Sequence, residues 1–227
     1  MRRLAVLVAV LLLGGCAAAA PSSSPARPPE VLTLGDSVAA GSACGCSPFP
    51  ALYARAQHAT DVNLARSGAT AADVRAAVPA ERSQVASAAE VVIMIGANDM
   101  AAVFGHPAQY ATVAAGVDDD VTATVTAIEQ LHRVPVILLG YWNVVQDGQV
   151  GAAQYGADGV RDAARATALV NQALRDAATR TGATFVPTEP AFHGDDGSHD
   201  PTGLLAPDGD HPNAAGQAAI AALLPPL

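Results

Sequence analysis

The chain has 227 residues and a formal net charge of -9, and half of it is apolar, much of that alanine. This is enough chain for one domain with a sizeable core. The acidic balance, with arginine as the only strongly basic residue type, excludes a nucleic-acid partner, which needs a basic face, and argues against direct adsorption to anionic membranes.

Met1-Arg2-Arg3 followed by the apolar run 4–13 has the form of a secretory signal, a charged segment and then a short apolar one. A spanning helix needs roughly 20 apolar residues, and Gly14-Gly15 interrupt this stretch, so a permanent span is the weaker reading. Leu13-Gly14-Gly15-Cys16 resembles a bacterial lipoprotein box, which implies a signal peptide over 1–15 and lipidation at Cys16; the alternative is an ordinary signal with Cys16 incidental. Residues 16–29 follow as the lipidated cysteine and a Ser/Pro-rich tether, which cannot bury a core. The domain is expected over 30–227.

Glu30 to Leu34 is a short β-branched and apolar run ended by Gly35, a buried strand. Residues 48–59 read as a helix with proline at its start, 61–65 as a second strand, and 71–78 as a helix closed by Pro79. Residues 90–95 are the clearest buried strand. A helix is expected over 112–132 and a strand over 135–139. A glycine-rich loop should then run to Gly159, followed by a helix over 160–181 that stops at Gly182. A strand at 183–186, a polar loop over 188–212 and a closing helix over 213–224 complete the chain. Strands alternating with helices predict a three-layer α/β/α sandwich on a mostly parallel sheet, with all strand C-termini on one edge. Ser37, Gly68 and Asn98 each follow a different strand and so should meet there. That edge is where open α/β sheets bind ligands.

Four separated blocks resemble the SGNH hydrolases, also called the GDSL esterase/lipase family. They are Gly35-Asp36-Ser37, Asn63-Leu64-Ala65-Arg66-Ser67-Gly68, Gly96-Ala97-Asn98-Asp99 and Asp208-Gly209-Asp210-His211-Pro212. The first departs from the family pattern in having Val38 where leucine is usual. The resemblance covers residues 31–227 and implies the flavodoxin-like fold, ester hydrolysis and no cofactor or metal. It implies Ser37 as nucleophile, His211 as base and Asp208 as its orienter, with the backbone N–H groups of Ser37 and Gly68 and the amide of Asn98 as oxyanion hole.

Each residue also has an ordinary structural reading. Ser37 or Asp36 can cap a helix, Gly68 can be a turn glycine, Asn98 and Asp99 can serve a turn, and His211 can be a solvated loop histidine. Asp210 competes with Asp208 as orienter, though its adjacency to His211 makes the geometry less natural. Cys44 and Cys46 are candidates for a tight disulfide in an oxidising compartment. Tyr141, Trp142 and Asn143 follow a strand end and are candidate substrate contacts. Asp195, Asp196, His199 and Asp200 can be read as a cation loop, but a solvated loop is the commoner outcome of such a run.

The sequence thus reads as a secreted, lipid-anchored bacterial serine esterase. It would be a monomer acting on short-acyl, acetylated-carbohydrate or lipid esters and held to the membrane at Cys16. The rival is a noncatalytic extracytoplasmic ligand-binding lipoprotein on the same fold.

Overall fold

The computed structural model describes residues 27–227; the expected signal peptide, Cys16 and most of the expected tether lie outside the described residues. In chain order the elements are β1 (Glu30–Gly35), α1 (Ser37–Ala40), α2 (Phe49–Ala56), β2 (Thr60–Asn63), α3 (Ala71–Ala77), α4 (Arg82–Ser87), β3 (Ala88–Met94), α5 (Ala97–Ala101), α6 (Pro107–Leu131), β4 (Val136–Leu139), α7 (Gly148–Thr181), β5 (Thr184–Val186), α8 (Glu189–His193), a 3₁₀ turn (Pro201–Leu204) and α9 (Ala214–Leu223).

The five strands form one parallel sheet in the order β2-β1-β3-β4-β5. Leu32 sits between Val62 and Val91, and Ile93 pairs with Leu138. Val31, Leu32, Val91, Val92, Ile93, Leu138 and Leu139 are all buried. Continuous burial of successive residues is what a parallel sheet covered on both faces requires. Truncating one of these side chains, Leu138→Ala for example, should cost about 2–5 kcal/mol.

The order of strands also fixes the layers. β1 steps outward to β2, whereas every later crossover moves the other way across the sheet. Right-handed crossovers then put α2 on one face and α3, α6 and α7 on the other. The packing agrees: α6 lies against α7 and α3, while α2 lies against α9. For α9 to reach α2, the segment after β5 must cross the C-terminal edge of the sheet. The reversal between β1 and β3 is the switch point at which such folds leave a crevice, and that crossing segment passes over it.

The helix boundaries have local causes. Asp36 caps α1, accepting from Val38 N at 3.0 Å, and Gly41 ends it at φ 77. Thr70 and Asp73 form a reciprocal capping box on α3. Pro107 occupies the first turn of α6 and starts it five residues earlier than the sequence reading places it.

Two expectations are corrected. The glycine-rich loop does not run to Gly159: Asp147 accepts from Gly148 N and starts a helix there, and only Gly156, at φ 64, breaks α7 before it continues. Glycine lowers helix propensity but does not forbid a helix that a cap and packing support. The stretch 188–212 is not a plain loop either. It holds α8 and the 3₁₀ turn, each with a proline, Pro190 and Pro201, in its first turn.

Candidate functional site

Ser37 is the first residue of α1, directly after β1. Its helix starts deep because Gly35 leaves no room for a side chain: a Cβ there would lie 2.5 Å from Met94 O. Asp36 N in turn donates to Met94 O at 3.2 Å, which ties the turn carrying Ser37 to the end of β3.

His211 arrives from the crossing segment. Its Nδ1 lies 2.8 Å from Asp208 Oδ2 and 3.9 Å from Asp210 Oδ2. Asp208 Oδ1 accepts from the backbone N–H of both Asp210 and His211, at 3.0 Å each, so one turn fixes carboxylate and ring together. Burial pulls the Asp208 carboxyl upward, but the two backbone N–H groups and the ring outweigh it and hold the carboxyl below its usual range. With respect to the ring, Asp208 rather than Asp210 is at hydrogen-bond distance.

Two polar residues absent from the sequence reading secure this turn. Asn213 caps α9 through Ala215 N and Gly216 N, and donates to Gly203 O and Leu205 O. Gln217 is fully buried; its Oε1 accepts from Phe49 N at 2.7 Å and its Nε2 donates to Val38 O at 3.1 Å. The helix after His211 is thereby pinned to the residue after Ser37.

Ser37, Asn98, Asp208 and His211 line one cleft of about 580 Å³ with Tyr141, Trp142 and Asn143. Asn98 lies on the first turn of α5, and its Nδ2 donates to Ala69 O at 2.9 Å. Gly68 is not part of that cleft wall. It sits at φ 79 in a neighbouring surface depression with Arg66 and Ser67. Its loop reaches the far end of α1 through the hydroxyls of Ser67 and Ser42, 2.5 Å apart. Asn63 joins the same region by donating to Ala39 O at 2.7 Å. Cys44 and Cys46 are joined as a disulfide in the exposed loop beyond α1, with Cα atoms 5.1 Å apart.

The three aromatic-block residues do different things. Tyr141 is buried and donates its hydroxyl to Asp36. Its own backbone is clamped by Asn171, which accepts from Tyr141 N and donates to Tyr141 O, both at 2.8 Å. Asn171 leaves a trace in the sequence, as a polar residue on the apolar stripe Ala163-Thr167-Val170-Leu174 of α7. Trp142 stacks on Phe192, with ring centroids 4.0 Å apart and an interplanar angle of 9°. Asn143 Oδ1 accepts from Val144 N at 2.9 Å and turns the chain.

Burial dominates the electrostatics of Asp36 and pushes its carboxyl up to about 6, against the bonds from Tyr141 and Val38. Burial likewise pushes the Tyr141 hydroxyl well up, and the charge on Asp36 adds to this. Behind Trp142 and Asn143 lies a second cavity of about 510 Å³, with Val160, Pro190 and His193 among its walls. His193 Nε2 lies 3.0 Å from Asp147 Oδ2, and this carboxylate pushes the imidazole up. Asp147 N donates to Gly209 O at 2.7 Å, so the pair also braces the turn that carries His211.

Among the described residues no cluster suits a metal ion, and one carboxylate oxygen each of Asp196 and Asp200 accepts from Ser198 and Thr202. No helix among them is long and apolar enough to cross a membrane.

The sequence has no significant match among curated proteins. Solved structures share the fold at low identity. A lipase from a goat rumen metagenome superposes with a TM-score of 0.68 at 17% identity, covering 86% of this chain and 94% of that one. An extracellular lipase from Streptomyces rimosus gives 0.64 at 20%, covering 86% and 100%. A catalytic variant of an acetylxylan esterase from Geobacillus stearothermophilus gives 0.63 at 21%, covering 87% and 92%. The model of the GDSL-like lipase/acylhydrolase family matches residues 33–219. Nearly the whole described domain is spanned by that match, and the chain belongs to this family of ester hydrolases.

Proposed function

We propose that the protein is a serine esterase in which Ser37, His211 and Asp208 act as a triad. The observation that carries this is the 2.8 Å contact between His211 Nδ1 and Asp208 Oδ2 in a cleft that Ser37 also lines. With Nδ1 held by a carboxylate, the imidazole presents Nε2 as the base.

Ser37 Oγ attacks the ester carbonyl carbon while His211 Nε2 takes its proton. The tetrahedral oxyanion is met by the N–H of Ser37 and the amide of Asn98, which line the cleft; Gly68, in the neighbouring depression, is the third donor that the family resemblance assigns. Collapse breaks the bond to the alcohol, which leaves with the proton from His211. Water then repeats the sequence on the acyl-serine, releasing acid and restoring Ser37. Neither metal nor cofactor enters these steps.

The leader and Cys16 support secretion with a lipid anchor, residues 16–29 a tether, and 30–227 the catalytic domain. A cleft of about 580 Å³ with mixed polar and aromatic walls favours short acyl groups on small or sugar alcohols over long chains.

A 4-nitrophenyl ester series from acetate to palmitate, run on the domain from Pro28 with Ser37→Ala and His211→Ala beside it, tests the reading. Turnover of short esters lost in both folded variants is the expected result. Wild-type rates no higher than those of the variants would overturn it in favour of the binding lipoprotein.

A further inference from the structure

The cleft carries more negative charge than ester hydrolysis needs. Asp36, Asp208 and Asp210 line it, and His211 is the one lining side chain able to carry positive charge. Two of the three carboxylates are engaged. Asp36 takes bonds from Val38 N and Tyr141 Oη, and Asp208 takes the ring and two backbone N–H groups.

Asp210 is different. Among the described residues its carboxylate accepts no hydrogen bond, and the ring nitrogen 3.9 Å away is already held by Asp208. Its side chain is 46% exposed, so the charge faces the water in the cleft. No arginine lines that cleft to offset it.

We infer that Asp210 is a specificity-determining residue that sets the cleft against anionic esters, so that its substrates are uncharged or cationic around the scissile bond. The inference rests on the esterase reading above. An uncompensated charge in a concave cleft acts on a ligand more strongly than the same charge on open surface, because the surrounding walls focus its field. Phe104, Trp142 and Tyr155 line the same cleft, and an aromatic face attracts a cation and not an anion. The field also has a use in turnover. Hydrolysis converts a neutral ester into a carboxylate, so the charge that admits the substrate expels the acid product.

The test is kcat/KM for three esters of matched length: mono-4-nitrophenyl glutarate (anionic), its methyl ester (neutral) and 4-nitrophenyl 4-(trimethylammonio)butyrate (cationic). In low salt the wild type should disfavour the anion against the neutral ester by about tenfold, and salt should narrow that gap. Asp210→Asn should raise the anion-to-neutral ratio by about tenfold. Asp119→Asn, an equal change of net charge on the exposed side of α6, should leave the ratio where it was. Asp210→Ser stands in should the asparagine variant show no cooperative thermal transition. Equal use of anion and neutral ester by the wild type, or a ratio that neither Asp210 variant moves, would overturn the inference while leaving the esterase reading intact. Absence of turnover on all three esters would overturn both.

Discussion

The hydroxyl of Tyr141 donates to the carboxylate of Asp36, the residue that caps α1 and immediately precedes Ser37. Both side chains are about 1% exposed. The end of β4 is thus joined, beneath the cleft, to the turn that presents Ser37.

Asp36→Asn should reshape the pH dependence of stability. The folded carboxyl titrates at about 6 against 3.8 for a free one, so the fold favours the protonated form. That stabilisation is complete below about pH 4 and is lost as the pH rises through 6. Asparagine keeps the shape and carries no charge. Between pH 4 and 7.5 the wild type should lose roughly 3 kcal/mol relative to the variant. Urea unfolding at four pH values measures this, and parallel curves would contradict it.

Tyr141→Phe removes the donor and leaves a buried carboxylate with one partner. The expected cost is about 1–3 kcal/mol at neutral pH, shrinking in acid where Asp36 is protonated. The titration assigned to Asp36 should move above 6, since the lost bond was lowering it. Turnover should fall more than KM rises, because Tyr141 acts on Ser37 through Asp36.

Asp208→Asn and Asn98→Ala should separate two kinds of loss. The first disturbs the tautomer of His211 and should lower kcat by about 10³–10⁴. The second removes one oxyanion donor and should lower it by about 10²–10³. Both should leave KM for short esters within a few-fold. Steady-state kinetics on 4-nitrophenyl acetate decides.

Gly209→Ala tests whether the turn itself is the instrument. Gly209 lies at φ 71, and a Cβ there would overlap Val150 on the first turn of α7. The turn must shift, carrying Asp208 and His211 with it, so activity should drop by at least about 10²-fold. Far-UV dichroism should stay unchanged.

His193→Gln should destabilise the fold by about 1 kcal/mol at pH 6 and by less at pH 9. The Asp147 contact raises the imidazole, so its contribution is present below the free value of 6.5 and fades as the pH climbs past the raised one. Thermal denaturation at the two pH values reads the difference.

The sheet was legible because burial on both faces writes itself as apolar runs, and three of the five strands end at or within two residues of a glycine, Gly35, Gly96 and Gly140. Four of the motif residues, Ser37, Asn98, Asp208 and His211, share the cleft and were legible as polar residues of the blocks after β1 and β3 and before the closing helix. What escaped was of two kinds. The helix over 148–159 was hidden by glycines, whose low propensity was overridden by the cap from Asp147 and by packing against Gly209. Asn213 ties neighbouring turns, whereas Asn171 and Gln217 act between segments far apart in the chain. Gln217 joins Val38 and Phe49 from more than 160 residues away, and no local pattern records such a contact.

Trp142 is the one tryptophan in the chain, and with Asn143 it forms the partition between the cleft that Ser37 lines and the cavity behind it. The protein therefore comes with a built-in optical probe. Its indole emission reports from one place only, pressed against Phe192 at the wall of the site. A ligand entering on either side alters that emission whether or not any bond is cleaved. Occupancy can thus be followed in the Ser37→Ala variant, without label or chromogenic leaving group, and substrates can be ranked by binding before any of them is turned over.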